Sequence, residues 1–261
     1  MNIGRVPILV YHRLSKRPEP HRYTLTEELF DRQMRFLRDH HATPILAQEY
    51  YDALTDPQHS LPSRPILITF DDGHESNHSI ALPILAQYGF KATMFVTSDW
   101  IDREGYTSSS QLKELHQAGM SIQSHGKTHT FLDRVDAKTL HEEFAASKDR
   151  LEAVTGAGVS FLAFPGGRYD QAAVRCGAQL HFAALFSSMP FYLNRVDRTF
   201  VIGRYNLKRS PLAAHYFERV VNAGPLAVLA FLAADYGKSS AKNVLGERLY
   251  RALWKRFVGR N

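Results

Sequence analysis

Short apolar runs alternate with segments of helical periodicity along most of the chain. Runs rich in β-branched and aromatic residues predict buried strands at residues 8–11, 66–70, 92–96, 120–123, 161–164 and 182–186. Apolar residues at three- and four-residue spacing predict helices at residues 24–37, 80–87, 110–118, 137–154 and 171–179. The first of these helices opens on Thr24 with Glu27 at capping-box spacing. Because strand–helix alternation is typical of parallel strands joined by crossover helices, we predict an α/β fold with a barrel-like parallel sheet.

The pattern changes after Ser210, where residues 211–222 and 225–236 are predicted helices and a basic segment follows. We therefore predict a barrel domain over residues 1–210 and a C-terminal helical extension over residues 211–261. The chain has 261 residues and a net charge of +6. Residues 238–261 hold seven Lys or Arg and one Glu, so the net charge of this segment is +6 and equals that of the whole chain. Since the remainder is neutral and has no recognised nucleic-acid motif, we expect no nucleic-acid partner.

The basic segment 238–261 has leucines and aromatic residues on one helical face and basic residues opposite. Such a helix either docks its apolar face onto the barrel or lies on a membrane surface, and both interpretations stay open. Liposome co-sedimentation of the full chain against a 1–237 truncation distinguishes them. The N-terminus has no signal-peptide pattern, so we expect a cytoplasmic protein, with this segment as a contact to the inner face of the membrane. The sequence does not define an oligomeric state.

Two motifs that follow predicted strands favour a metal site. Asp71 and Asp72 lie directly after the strand at 66–70, and adjacent carboxylates repel unless a positive charge is near. His125 and His129 follow the strand at 120–123, and imidazoles four residues apart reach one ion. Together with Asp72 they make a three-ligand set with open positions, as catalytic zinc requires. The alternatives are an Asp-Asp-Gly turn and a polar loop with two exposed histidines.

Two further strand ends carry candidate chemistry. His12 ends the first strand and is a candidate general acid, with a structural histidine as the alternative. Gly166 follows the strand at 161–164 and offers a backbone N–H to an oxyanion, with a simple Pro-Gly-Gly turn as the alternative. The lone Cys176 excludes an internal disulfide and any cysteine-rich zinc module.

A competing motif is the His-Glu-x-x-His pattern of His74 and His78, which is typical of zinc metallopeptidases. That chemistry needs the middle of a regular helix, where both imidazoles share one face. Here the pattern directly follows Asp72 and Gly73, so it falls on a turn or on a first helical turn. We therefore favour Asp72, His125 and His129 over His74 and His78 as the metal ligands.

The motifs together resemble those of the polysaccharide deacetylases of carbohydrate esterase family 4, and most of all the poly-N-acetylglucosamine deacetylase subgroup. The Thr-Phe-Asp-Asp-Gly run at 69–73 resembles the first family motif, and Ser-His-Gly-Lys-Thr-His at 124–129 resembles the second. The resemblance implies a deformed (β/α) barrel of about seven parallel strands. It also implies a divalent metal, most commonly zinc, and the removal of acetyl groups from N-acetylated glycans. Its site residues would be Asp72, His125 and His129 as metal ligands and Asp71 as catalytic base.

The chain departs from the family pattern at two places. Ala163 stands where the third motif usually carries an arginine that orients the base, and Arg168 and Arg204 are both candidates to replace it. The late Leu-x-x-His motif is matched formally at His215, but the subgroup takes its acid from the N-terminus, so we prefer His12. The missing arginine leaves a second interpretation open, which is a catalytically impaired barrel that binds a glycan or a membrane.

Overall fold

The computed structural model describes residues 6–188, 201–209 and 213–222, with side chains from residue 216 onward in the last range. The chain divides into two compact units, residues 1–217 and 218–261, and only residues 218–222 of the second unit are described. The predicted helix at 225–236 and the basic segment 238–261 lie outside the described residues, as does the side chain of His215. The predicted domain boundary at residue 210 stays a prediction.

Eleven strands and seven α-helices make up the described chain. The strands are β1 Ile8–Tyr11, β2 Arg13–Ser15, β3 Thr24–Thr26, β4 Thr43–Ile45, β5 Pro65–Phe70, β6 Thr93–Val96, β7 Ser121–Ser124, β8 Phe161–Ala163, β9 Ala184–Phe186, β10 Val201–Ile202 and β11 Tyr205–Asn206. The helices are α1 Glu27–Asp39, α2 Ala47–Thr55, α3 Leu82–Gln87, α4 Ser109–Gln117, α5 Ala137–Thr155, α6 Gln171–Gln179 and α7 Ala213–Asn222. A π-helix, Asn77–Ala81, precedes α3, and short 3₁₀ turns occur at Ser98–Trp100 and Pro165–Gly167.

The main sheet is parallel throughout, in the order β10-β9-β8-β7-β6-β5-β1-β11, with β4 also paired to β5. Its two end strands, β10 and β11, are separated in sequence by Gly203 and Arg204 alone. So short a connection spans only about 10 Å, so the two edges of the sheet lie side by side and the sheet curls on itself. The fold is a deformed (β/α) barrel, which confirms the predicted fold class. We call the junction at Gly203 and Arg204 the seam.

Alternating side chains sort the strands into an inner and an outer face. Apolar residues of six strands fill the barrel interior: Ile8, Leu67, Phe95, Phe161, Phe186 and Ile202. Tyr11 points outward and meets Phe30 of α1 edge-on, with ring centroids 5.0 Å apart. The helices therefore cover the outer face, and polar residues that follow the strands collect at one rim. None of the described helices has the length and apolarity that crossing a bilayer requires.

The first predicted helix began at the wrong residue. Thr24 belongs to β3, which pairs with β2, and the side chain that caps α1 is Thr26, whose Oγ1 accepts a hydrogen bond from Leu29 N at 3.2 Å. Leu25 between them is buried, so packing of this residue extends the chain where the capping-box spacing predicted a helix. The short strands β2, β3, β4, β10 and β11 were not predicted, because runs of two or three residues carry no measurable periodicity. The nine-residue helix α2 was also not predicted.

Candidate active site

Adjacent strands bring the sequence-predicted residues to one rim of the barrel. His12 follows β1, Asp71 and Asp72 follow β5, and His125 follows β7. Because β1, β5, β6 and β7 are consecutive neighbours in the parallel sheet, their carboxyl ends lie at the same edge. The prediction that strand ends collect the candidate chemistry therefore agrees with the topology.

Asp72, His125 and His129 converge on one point. Asp72 Oδ1 lies 3.4 Å from His125 Nε2 and 3.3 Å from His129 Nε2, and one ligand atom from each residue lies within 4.8 Å of the other two. Asp72 Oδ1 is buried and has no hydrogen-bond partner among the described residues, so the three donors approach one another without bonding. Two imidazole nitrogens and one carboxylate oxygen form a donor set suited to zinc and other divalent ions. The residues present thus fit a divalent metal.

Two of the three ligands lie on strained backbone. Asp72 has φ +75° and His129 has φ +67°, in the left-handed region that residues with a side chain rarely adopt. Gly73 follows with φ +81°, and a Cβ there would lie 2.8 Å from Val96 Cγ1, so only glycine fits this turn. Strain of this kind costs about 1–3 kcal/mol per residue and concentrates at functional sites.

The imidazole rings of His125 and His129 are oriented by neighbouring groups that do not belong to the three-residue donor set. His125 is buried and its Nδ1 lies 2.8 Å from the carbonyl oxygen of Ala163, which leaves Nε2 facing Asp72. His129 stacks on Trp100, with ring centroids 4.9 Å apart and planes 23° apart. Ala163, the position where the family pattern has an arginine, therefore acts on the site through its backbone.

The loop between the two histidines is held by Glu143 of α5. Glu143 Oε2 accepts hydrogen bonds from the backbone N–H of Lys127 at 2.8 Å and of Thr128 at 2.9 Å, and Oε1 accepts one from the Thr128 hydroxyl. The side chain is buried, and a Cβ at Gly126 would lie 3.1 Å from Oε2. Sequence reasoning missed Glu143, because a charged residue in an amphipathic helix normally faces solvent.

A bidentate ion pair between Asp71 and Arg204 lies next to the donor set, because Asp71 directly precedes Asp72. Arg204 Nη1 donates to Asp71 Oδ1 at 2.7 Å and Nη2 donates to Oδ2 at 2.8 Å, and both residues are almost fully buried. Arg204 also donates to Thr69 Oγ1 and to the Ser187 carbonyl, and its guanidinium lies 5.0 Å from the Phe95 ring centroid. Burial raises the pKa of Asp71, while the charge and hydrogen bonds of Arg204, together with the charges of His125 and His12, lower it by more. Asp71 is therefore an ionised carboxylate with a pKa below its ordinary value.

The two candidate arginines have different surroundings. Arg168 is half exposed, pairs with Asp133 at 2.7 Å and covers the Phe131 ring at 4.8 Å. Gly166 has φ +61° in the same turn, where a Cβ would lie 2.8 Å from Phe131. The structure thus brings Arg204 to Asp71 and places Arg168 on Asp133.

His12 lies at the end of β1, on the same rim. Its ring stacks on Tyr23 with centroids 4.7 Å apart, and its Nδ1 is buried without a hydrogen-bond partner among the described residues. Burial lowers the pKa of His12, and the charges of Asp72 and Asp71 oppose that shift only in part. A neutral imidazole beside two carboxylates is a suitable proton-transfer group once a substrate is bound.

Residues 58–185 match the family model described as polysaccharide deacetylase. This part of the chain belongs to the polysaccharide deacetylase family. YxkH of Bacillus subtilis is 28% identical to this chain over 202 residues, which are 77% of this chain and 71% of that protein. Poly-beta-1,6-N-acetyl-D-glucosamine N-deacetylase of Staphylococcus aureus is 29% identical over 105 residues, which are 38% of this chain and 35% of that protein. The structure of IcaB from Ammonifex degensii superposes with a TM-score of 0.71 at 25% identity, covering 83% of this chain and 95% of that one. The resemblance identified from the motifs is confirmed.

In this deacetylase domain the His-Glu-x-x-His pattern does not form a shared ligand point. His74 Nδ1 lies 2.8 Å from Ser76 Oγ, and His78 Nε2 lies 2.8 Å from Glu114 Oε2. Within residues 6–188, 201–209 and 213–222, the cluster of metal-ligating side chains is Asp72, His125 and His129. The metallopeptidase interpretation therefore has no geometric support.

Replacing Glu143 by glutamine is expected to weaken zinc binding by about 10- to 100-fold, because a ligand-supporting group is removed. The amide oxygen can accept from the two backbone N–H groups, but the neutral amide accepts more weakly than a carboxylate and its N–H₂ group then faces the Thr128 hydroxyl, which donates to Glu143 in the unaltered chain. Competition for zinc against a chromophoric chelator measures the change.

The matched control is Glu142→Gln on the same helix. Glu142 is exposed and, among the described residues, pairs with the side chain of Lys127, so zinc affinity should stay within about twofold of the unaltered chain. Equal zinc affinities for the two variants would show that the Glu143 hydrogen bonds do not support the metal loop.

Proposed function

We propose that this chain is a metal-dependent hydrolase that removes acetyl groups from N-acetylated sugars. The observation that carries the proposal is the convergence of Asp72, His125 and His129 beside an ionised, buried Asp71. Family membership supports the reaction class. The similarity to the staphylococcal poly-beta-1,6-N-acetyl-D-glucosamine N-deacetylase, which covers 35% of that protein, supports an N-acetylated glycan as substrate.

The metal ligands would be Asp72, His125 and His129, and their donor types favour zinc. A divalent metal there would supply a Lewis acid that lowers the pKa of water and polarises the acetamide carbonyl. Each oxygen of Asp71 keeps a lone pair beyond its bond to Arg204, so the carboxylate has room to accept a proton from the attacking water.

His12 in its protonated form donates a proton to the sugar nitrogen as the carbon–nitrogen bond breaks, and the proton that Asp71 took from the water restores that form after the amine has left. The Gly166 N–H is the proposed donor to the oxyanion. One water is consumed, and acetate and a free amino sugar are released. Both proton transfers use groups at the same rim, on the ends of the neighbouring strands β1 and β5.

A catalytically impaired binding barrel is the second candidate, and its support was the absence of an arginine at Ala163. We propose that Arg204, which lies at the seam, supplies that positive charge, because its guanidinium donates hydrogen bonds to both carboxylate oxygens of Asp71. The bidentate pair weakens the argument for an impaired site.

A screen of N-acetylated sugars with added zinc, read out as free acetate, tests the proposed function. We expect acetate release by the unaltered chain and by the His74→Ala/His78→Ala double variant. His125→Ala should lose it, because a metal ligand is removed. Acetate release that survives His125→Ala but disappears in the double variant would instead support the peptidase-type metal pair.

Contact with the inner face of a membrane through residues 238–261, and a cytoplasmic location, stay proposals based on the sequence. The location and the membrane contact would determine where the protein meets its glycan substrate. They do not change the proposed reaction at the rim of the barrel.

A further inference from the structure

Hydrogen bonds join the segment that follows Asp72 to the segment that carries His12. Asp71 N donates to the Tyr11 carbonyl at 2.9 Å, and Asn77 Nδ2 donates to the His12 carbonyl at 2.8 Å. Leu14 N donates to Ser76 Oγ at 2.9 Å. The backbone at and on both sides of His12 is thus tied to the same short stretch that carries the base and a metal ligand. We call Ser76 and Asn77 the clamp.

The clamp residues are buried polar groups at an unusual local structure. Asn77 is completely buried and Ser76 nearly so, and Asn77 opens the π-helix that precedes α3. Asn77 Oδ1 has no hydrogen-bond partner among the described residues. A buried amide that leaves one end unsatisfied costs free energy relative to an apolar side chain of similar size. Fold stability alone therefore does not explain an asparagine here, whereas its bond to His12 does.

The imidazole of His12 depends on its backbone for orientation. Catalytic histidines are commonly oriented by a carboxylate or carbonyl at the second ring nitrogen. His12 Nδ1 has no such partner among the described residues, and its ring is steadied by the stack on Tyr23. The position of the ring nitrogens therefore follows the position of the His12 backbone, which the clamp sets.

We propose that Asn77 and Ser76 are positioning residues that hold His12 where it protonates the departing sugar amine. The inference rests on the proposed function and assigns a role to the segment 74–78 that the metallopeptidase interpretation does not. A general acid acts within about 2.6–3.2 Å of the atom it protonates, so a displacement of about 1 Å costs much of its effect.

Leaving-group dependence tests the clamp. An amine must be protonated before it leaves, whereas the p-nitrophenolate of p-nitrophenyl acetate leaves without a proton. Asn77→Ala should therefore lower zinc-dependent acetate release from N-acetylglucosamine oligomers by at least about 10-fold. Zinc-dependent hydrolysis of p-nitrophenyl acetate should change by less than about threefold, and His12→Ala should show the same selective loss.

Ser76→Ala is the second clamp variant and should show the same selectivity if Asn77→Ala folds poorly. Ser79→Ala is the matched control in the same π-helix, because Ser79 is exposed and bonds to Glu75; it should leave both rates unchanged. Zinc content and thermal unfolding are measured for every variant.

Parallel loss of both reactions in folded, zinc-loaded clamp variants would overturn the inference, as would full retention of sugar deacetylation. If the unaltered chain released no acetate from any N-acetylated sugar, the proposed function would fail and the clamp inference with it. Acetate release by the unaltered chain without selective loss in the clamp variants would overturn the clamp alone.

Discussion

Replacing Arg204 by methionine is expected to lower the free energy of unfolding by roughly 3–5 kcal/mol, because it leaves a buried carboxylate without its counter-charge. Arg204 is fully buried and forms both hydrogen bonds to Asp71. Without them the pKa of this carboxyl rises, because burial is the largest single influence on it, and the base is protonated over a wider range of pH. Acetate release should fall together with stability. Denaturant unfolding of the metal-free protein measures the first effect.

Arg168→Met is the matched control, since Arg168 is half exposed and its pair with Asp133 lies at the surface. An exposed ion pair is worth about 0–1 kcal/mol, so this variant should unfold close to the unaltered chain. Similar unfolding free energies for the two variants would contradict the different roles that the structure gives the two arginines.

The ion pair also makes stability depend on pH. Because folding depresses the pKa of Asp71, its contribution is complete above the pKa of aspartate in the unfolded chain. That contribution is lost as the pH falls through the lower folded pKa. Asp71 thus adds to the acid sensitivity of the unaltered chain.

Replacing the two adjacent aspartates should separate metal binding from proton transfer. Asp72→Ala removes one of three ligands, and we expect loss of bound zinc and of acetate release together. Asp71→Asn keeps the three ligands, so zinc should stay bound while acetate release falls about 10²- to 10⁴-fold through loss of the base. Elemental analysis of the purified variants and free-acetate measurement provide the two readouts.

Chelation supplies the control for the Asp72 and Asp71 variants. The unaltered chain should lose acetate release when its metal is stripped and regain it when zinc is returned, whereas Asp71→Asn should regain zinc without activity. Unchanged acetate release in both aspartate variants would refute the assignment of Asp71 and Asp72.

The convergence of Asp72, His125 and His129 could be predicted from the sequence because the relevant signals are local. Asp72 is the second residue after a strand of six apolar or β-branched residues, and His125 and His129 are four residues apart after another strand. Parallel strands end at one rim, so proximity of the two motifs follows from the topology alone.

The supporting groups could not be predicted, since their partners are distant in sequence. Arg204 meets Asp71 across 133 residues, and nothing in the local pattern distinguishes it from Arg168. Glu143 meets Thr128 across 15 residues from the next helix, and its charge is typical of a solvated position although its spacing places it on the buried face beside Leu140. These contacts depend on the curvature of the sheet and on where the helices pack against it. The hydrophobic periodicity of the sequence does not determine either.

The position of the seam late in the sequence implies an order in which the parts of this site come together during synthesis of the chain. The metal ligands lie between residues 72 and 129, whereas Arg204 reaches Asp71 only when β11 docks on β1 and joins the two edges of the sheet. A growing chain therefore presents all three donors long before the counter-charge of its base has been synthesised. We therefore expect the proposed site to be complete only in the step that closes the barrel.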